Sequence, residues 1–240
     1  MWSPARPDGL AYRFHSLLHA VQQKRRRSRA EDLYQRTASA IDRQRFADTF
    51  EKYRTPVPTA GPAKYVDVDR WLRQAADRYL LTGLAAQPPG HRILDLGAGP
   101  GYFPLICRNE GHVPLLLDLD DEPLYRELVS FFGLPRILHR IAAFEPLPDS
   151  GGRFDLITAF KICFNVNPDG SAWDAPEWEF LFEDLRARMN PGGLLVLWFN
   201  VDAATGELYP VDVARLLRDP PGFESRVFFE YALLRATKPR

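Results

Sequence analysis

The chain has 240 residues, with 31 Lys plus Arg against 31 Asp plus Glu, 45% hydrophobic and 26% charged. A zero net charge argues against a globally basic nucleic-acid binder or an acidic tail protein, and this composition excludes disorder throughout. The zero is a cancellation between unlike parts: residues 1–60 carry +6 and residues 61–240 carry −6.

Residues 9 to 54 read as helix, with Leu10, Phe14, Leu17, Leu18 and Val21 on one face and Leu33, Tyr34, Ile41, Phe50 and Tyr53 further along. Ser28-Arg29-Ala30-Glu31 has capping-box form, so a second helix is expected to start there, the basic run Lys24–Arg27 closing the first. Thr55 to Pro62 (TPVPTAGP) removes backbone donors at three prolines and reads as a linker. It divides the chain into an N-terminal helical lid or appendage, residues 1–62, and a larger domain, residues 63–240. A helix follows from about Val68 to Ala86, with Trp71, Leu72, Ala75, Ala76, Tyr79 and Leu80 at helical spacing.

Strand and helix patterns then alternate. HRILDL leads to a helix from Gly101, PLLLDL to a helix around Glu122 to Phe132, and a short strand near Arg136 to Ala142 precedes FDLITAF. A helix around Glu177 to Met189, the strand GLLVLWF and a helix near Val211 to Leu217 complete the series. Short apolar runs separated by helices mark parallel strands buried on both faces, so the expected fold is α/β, a doubly wound, mostly parallel sheet of the seven-stranded type. Phe223 to Thr237 reads as one long strand or two, with no Gly or Asn-Gly turn to split it.

Cys107 and Cys163 form no disulfide framework and no metal spacing, and both read as buried or incidental thiols. The first residues lack a secretory-signal pattern and the longest apolar runs, LLVLWF and VPLLL, are too short for a membrane span, so a cytoplasmic location is expected.

The strongest local signal is Ile93-Leu94-Asp95-Leu96-Gly97-Ala98-Gly99-Pro100-Gly101-Tyr102-Phe103, an apolar strand running into a glycine loop that opens a helix. Glycine serves where backbone approaches a ligand closely or φ is positive, and a helix N-terminus offers free N–H groups to an anion. The spacing is G-x-G-x-G; Tyr102 stands where the dinucleotide fingerprint has its last glycine. With Asp95 upstream, the segment resembles the first motif of class I S-adenosylmethionine-dependent methyltransferases. Leu115-Leu116-Leu117-Asp118 ends in an acidic residue where that family places a carboxylate accepting the ribose hydroxyls. Phe154-Asp155-Leu156-Ile157 looks like its fourth strand, and Asn190-Pro191-Gly192-Gly193 looks like the turn into its fifth. Asp120 and Asp121 read as caps of the next helix, whose start is marked by Glu122-Pro123.

The resemblance implies S-adenosyl-L-methionine as cofactor, framed by Asp95, Gly97, Ala98, Gly99, Gly101 and Asp118. In the loop that resembles the one after the family's third strand, the position of an adenine-binding aspartate is Ala143. Adenine would then rest on the backbone N–H groups of Ala143 and Phe144 and on Leu119, with Glu145 an ordinary solvated glutamate. The implied reaction is in-line displacement at the sulfonium methyl, in which alignment in a dry site supplies much of the rate. The segment facing the methyl would be Phe160 to Pro168, with Phe160 against the cofactor. It is neither an N/D-P-P-Y/F segment nor a Pro-Cys arrangement, which argues against exocyclic amines and pyrimidine carbons as acceptors.

Lys161 is a candidate base or anchor for an acidic substrate, its ordinary alternative being an exposed lysine at a strand end; Asn165 and Asn167 are candidates for orienting the acceptor. Cys163 reads as a buried small residue. His15 and His19 share a helix face as metal ligands would, but no Glu lies between them and no third ligand is in view, so a surface or lid pair is expected and no metal. His139 reads as a satisfied structural residue near the third strand's start. Trp173, Trp178 and Trp198 read as packing, with Trp173 an alternative wall for an acceptor pocket. These readings lead to a methyltransferase acting on a small-molecule acceptor, the N-terminal helices closing the acceptor site and docking through their opposite charge. The alternatives are an enzyme acting on RNA or protein through the basic helices, and a cofactor-binding regulatory module without turnover.

Overall fold

Burial of β-branched and leucine-rich runs organises the chain around one sheet. The computed structural model describes residues 9–54, 61–201, 207–228 and 230–237, with side chains from residue 24 onward. The helices are α1 (Gly9–Ser39), α2 (Arg43–Phe50), α3 (Val68–Thr82), α4 (Tyr102–Asn109), α5 (Pro123–Phe131), α6 (Ala175–Ala187) and α7 (Val211–Arg218). The strands are β1 (Arg92–Leu96), β2 (Val113–Asp118), β3 (Arg136–Leu138), β4 (Phe154–Ile162), β5 (Met189–Phe199), β6 (Phe223–Val227) and β7 (Tyr231–Ala236), in the order β3-β2-β1-β4-β5-β7-β6. All neighbours are parallel except the two pairs made by β7.

Alternate residues of a strand face opposite sides, and here both sides are covered. Ile93, Leu116, Leu156 and Val196 join a core with α1 to α5, while Leu94, Leu117, Ile157, Leu195 and Leu197 join a second core with α6 and α7. The chain order reverses between β1 and β4, and a crevice at the carboxyl ends of the strands is where such sheets take ligands.

The expected helix break at Ser28 is absent. One helix runs from Gly9 to Ser39, since Lys24–Arg36 contains neither Gly nor Pro and Leu33, Tyr34, Thr37 and Ala38 bury one face of it. Glu31, which a capping box would turn back, instead pairs with Arg73 and accepts from Gln35 Nε2 at 2.8 Å. The interruption comes at residues 40–42, where the Asp42 carboxylate caps α2 by accepting from Arg45 N at 2.9 Å. Thr55–Ala60, most of the expected linker, lies outside the described residues, as do the side chains of the Leu10 to Val21 face and of His15 and His19.

Helices α1 and α2 share a core with the sheet layer: Phe46 and Phe50 meet the Phe131 ring at centroid distances of 5.4 and 5.6 Å. Arg36 to Glu110 (2.9 Å) and Lys52 to Glu127 (2.8 Å) join the basic part to the acidic part.

The region left open, Phe223 to Thr237, is a hairpin. Its strands are antiparallel, Phe228 N donates to Tyr231 O at 2.8 Å, and β7 also pairs with β5, which buries Ala232 and Leu234. The strand expected to reach Ala142 stops at Leu138. Asn190 to Gly193 lies inside β5, whose register with β4 shifts between Phe154 and Leu156. Among the described residues, no helix is long and apolar enough to cross a membrane.

Candidate active site

The loop after β1 turns at Gly97 (φ 64), Gly99 (φ 54) and Gly101 (φ 79) before α4 begins. At Gly101 a Cβ would stand 2.9 Å from Leu134 Cδ1, so this glycine is required by packing as well as by its backbone. Asp95, the penultimate residue of β1, is 3% exposed, and its carboxylate accepts from Thr158 Oγ1 of β4 at 2.6 Å. Burial pushes its pKa up to about 7, against the opposing pull of the Thr158 hydrogen bond and the Arg78 charge. Asp118, the last residue of β2, accepts from the backbone N–H groups of Gly99 and Leu119, and burial raises its pKa.

Over these strand ends lies a cavity of about 1150 Å³. One side is built from Asp95, Gly97–Pro100, Asp118, Leu119, Asp121 and residues 139–143 with Glu145. The other is built from Phe160–Phe164, Val166–Pro168 and Asn200, at the ends of β4 and β5. The roof comes from the 3-10 turn Pro62–Val66 and from α3, through Lys64, Tyr65, Trp71, Gln74, Ala75 and Arg78. Tyr65 packs on Trp71 at 4.3 Å between centroids and edge-on to Tyr125 at 5.2 Å, and Trp71 Nε1 donates to Lys64 O at 2.7 Å.

Of the residues singled out in the sequence, Asp95, Gly97, Ala98, Gly99, Asp118, Leu119, Ala143, Phe160, Lys161 and Asn167 line this cavity. Gly101 sits behind the loop as the N-cap of α4. Phe144 turns outward, 56% exposed, with its ring 5.9 Å from Phe180 and φ of 58. Asn165 is also outside the lining; its carbonyl accepts from Trp173 N at 3.0 Å. The Asn167 amide donates to Glu177 Oε1 (2.9 Å) and Ser171 Oγ (3.2 Å), so its donors serve the chain itself.

Lys161 is a half-buried residue in the left-handed region (φ 58) at the end of β4, where a non-glycine residue is uncommon. Its Nζ lies 3.3 Å from Glu230 Oε2 and 3.4 Å from Phe199 O, and 5.2 Å from the Trp198 ring centre. Glu230 also accepts from Trp198 Nε1 at 2.9 Å, so the hairpin turn clamps this side of the site.

Several readings are corrected. Cys163 is exposed and lines the cavity, because the chain leaves the sheet at Ile162; Asn200 Nδ2 donates to its sulfur at 3.1 Å. Trp173 is 1% exposed, packed against Trp178 at 5.5 Å in the α6 and α7 core, and walls no acceptor pocket. Asp120 pairs with Arg126 and Arg136, both at 2.8 Å, while the cap of α5 is Glu122, accepting from Leu124 N at 3.1 Å. His139 stands just past β3, its backbone N–H donating to Asp118 O at 3.0 Å, but its enclosed Nε2 has no partner. Sequence reasoning missed the roof: Trp71, Gln74 and Arg78 fall at i, i+3 and i+7 on α3, the signal that they share a face.

The profile of the methyltransferase-domain family matches residues 68–204, more than half of the chain and all of the strands that build the crevice. The chain belongs to this family, the class I S-adenosylmethionine-dependent methyltransferases. The biotin biosynthesis bifunctional protein BioHC of Cellvibrio japonicus is 30% identical over 102 residues, which is 42% of this chain and 18% of that protein. The aligned part thus spans under a fifth of the curated relative it matches.

Among solved structures, the amino pentose methyltransferase CalS10 of Micromonospora echinaspora matches at a TM-score of 0.49 and 19% identity, over 70% of this chain and 92% of that one. The 1,6-didemethyltoxoflavin-N1-methyltransferase of Burkholderia thailandensis matches at 0.47 and 19%, over 77% and 94%. At these scores the likeness adds nothing to the topology already described.

Proposed function

We propose that the chain is a methyltransferase that moves the methyl of S-adenosyl-L-methionine to a small-molecule acceptor. The observation that carries this reading is one cavity with two unlike halves, a glycine loop with two carboxylates on one side and an aromatic, amide and cationic wall on the other. Its volume lies just above the usual range for small-molecule sites, enough for a nucleoside-sized ligand and a second small one.

The residues present suit the cofactor. A Cβ at Gly97 or Gly99 would point toward Phe164 or Tyr125 at 3.9 and 3.8 Å, so both turns leave the loop backbone bare on the ligand side. When bound, the cofactor supplies an electrophilic methyl on a positively charged sulfur. Asp118 would accept from ribose hydroxyls in exchange for its bond to Gly99, and Leu119 and Ala143 would give apolar contact to the base, with the N–H of Phe144 beside them. Phe160 would face the transferred group, and the roof of Tyr65 and Trp71 would exclude water.

In this reading substrate selection belongs to the 3-10 turn and α3 more than to α1 and α2, since Lys64, Tyr65, Trp71 and Gln74 reach the cavity and no described residue of the expected lid, 1–62, lines it. Lys24–Arg29 stands exposed on α1 and lines no part of it, which leaves a polymeric acceptor the weaker reading. Calorimetric titration with S-adenosylmethionine and S-adenosylhomocysteine tests the proposal: both should bind at one site, and binding of neither removes it. Charge reversal of Arg25 to Arg27 that abolishes turnover while leaving cofactor affinity intact would favour the polymer instead.

A further inference from the structure

Strand β6 closes one end of the sheet, with β7 on one side and no strand of the described residues on the other. The opposite end is blunted, since β3 is three residues long and is entered from Pro135, which has no N–H. Strand β6 has neither proline nor bulge. It pairs in unbroken antiparallel register with β7, from Phe223 against Ala236 to Val227 against Ala232. Such an edge offers a row of backbone groups to a further strand.

The ladder fixes which groups face outward. Phe228 N donates to Tyr231 O at 2.8 Å and Thr237 N donates to Gly222 O at 3.0 Å, so the even-numbered residues of this strand turn their backbone toward β7. Alternate residues of an antiparallel pair point the other way, so Phe223, Ser225 and Val227 direct theirs to the open edge. The Phe223 N–H is taken by Pro220 O at 3.1 Å, while the N–H groups of Ser225 and Val227 have no partner among the described residues.

The side chains add a pattern of charge. Ser225 Oγ donates to Leu217 O of α7, so Glu224 and Arg226 stand on the opposite face, both exposed and neither paired with a described residue. Opposite charges two residues apart are self-complementary under a two-fold axis. With Ser225 set against Ser225 of an antiparallel second copy, Glu224 falls opposite Arg226 of that copy, and Arg226 opposite its Glu224. These are non-hydrogen-bonded positions, where facing side chains come closest. Sliding one strand by two residues either way keeps the backbone bonds aligned but sets Glu224 on Glu224 or Arg226 on Arg226. The charges that blunt this edge against an arbitrary strand thus select one register with its own copy.

We propose that β6 is the interface through which two copies of this chain join, edge to edge, into one continuous sheet. Ser225 N–H donates to Ser225 O of the second copy in both directions, Val227 N–H donates to its Phe223 O, and the two Glu224–Arg226 pairs flank the axis. A five-residue strand is a small contact, so the association is weak and follows protein concentration.

Sedimentation velocity on the full chain from about 1 μM to about 1 mM should show monomer passing to dimer. Glu224→Arg and Arg226→Glu each replace two attractive pairs by two repulsive ones, so each variant alone should associate about tenfold more weakly. In an equimolar mixture the two variants present opposite charge at every facing position, and the mixed dimer should recover the parent's affinity. Both positions are exposed, and far-UV circular dichroism identical to the parent's certifies that the variants are folded. Monomer throughout the range, single variants that dimerise like the parent, or a mixture no tighter than its components each overturn the proposal.

Discussion

The carboxylate of Asp118, at the end of β2, accepts the backbone N–H of Gly99 in the loop after β1, and its other oxygen accepts from Leu119 N at 2.8 Å. One side chain thus ties the glycine loop to the neighbouring strand while facing the cavity. If Asp118 holds the ribose as proposed, replacing it by Ala removes that acceptor, so affinity for S-adenosylhomocysteine should fall by about 1.5–3 kcal/mol per ribose bond lost. Calorimetry reads this directly, and an unchanged dissociation constant would mean that another carboxylate holds the ribose.

The buried Asp95 makes stability depend on pH in a definite direction. Unfolded, its carboxyl ionises near the ordinary 3.8, and folded at about 7. Between those values the folded chain keeps a proton that the unfolded chain has released, so this group's contribution is full below about pH 4 and is lost as pH rises to about 7. Asp95→Asn keeps an oxygen for Thr158 and cannot ionise. Its stability relative to the parent should therefore rise across that window, by on the order of a few kcal/mol, and level off above it. Urea unfolding of the ligand-free protein at pH 5 and pH 8 checks this; a difference independent of pH would show that the carboxyl stays ionised.

Two glycines of the loop should separate folding from binding. Gly101→Ala places a methyl 2.9 Å from Leu134 Cδ1 and 3.3 Å from Leu116 Cδ2 at a φ of 79, and should cost about 1–3 kcal/mol of stability. Gly99→Ala meets only Tyr125, at 3.8 Å. Its cost should be limited to the roughly 1 kcal/mol of left-handed backbone strain, while the loop it stiffens weakens cofactor binding. Denaturation midpoints and calorimetry on both variants give the two readouts, and an equal loss of stability in both would contradict the packing argument.

The N-terminal helices should be held by apolar packing more than by their opposite charge. Phe50 is 1% exposed against Phe131, and Phe50→Ala should cost about 3–5 kcal/mol. The Arg36–Glu110 pair lies at the surface, with 57% of the arginine and 20% of the glutamate side chain exposed, so Glu110→Ala should cost about 1 kcal/mol. High salt should then leave the helices docked, as proteolysis at 1 M salt would register; their release there would restore charge as the main term.

The sequence by itself determined the parts whose physics is local. A leucine-rich strand, three glycines where φ is positive and a carboxylate at the next strand's end are short-range requirements, so Asp95, Gly97, Gly99, Gly101 and Asp118 were legible, as was the alternation that builds the sheet. At Phe223 to Thr237 the local pattern was silent; the hairpin follows from β7 inserting beside β5, where Val196 pairs with Leu233, far away in sequence.

The half of the cavity beyond the glycine loop was decided only by tertiary structure. Nothing local distinguishes Arg78 from the other cations of α3; only the crossing of α3 over the ends of β4 and β5 sets it beside Phe160 and Trp198. Trp173 keeps packing and pocket wall as alternatives until the α6 core claims it, and Cys163 reads as a buried thiol until the chain leaves the sheet one residue before it. Burial and charge environment are sums over neighbours distant in sequence, so no window along the chain contains them, whereas backbone conformation and strand pattern are set by the residues themselves.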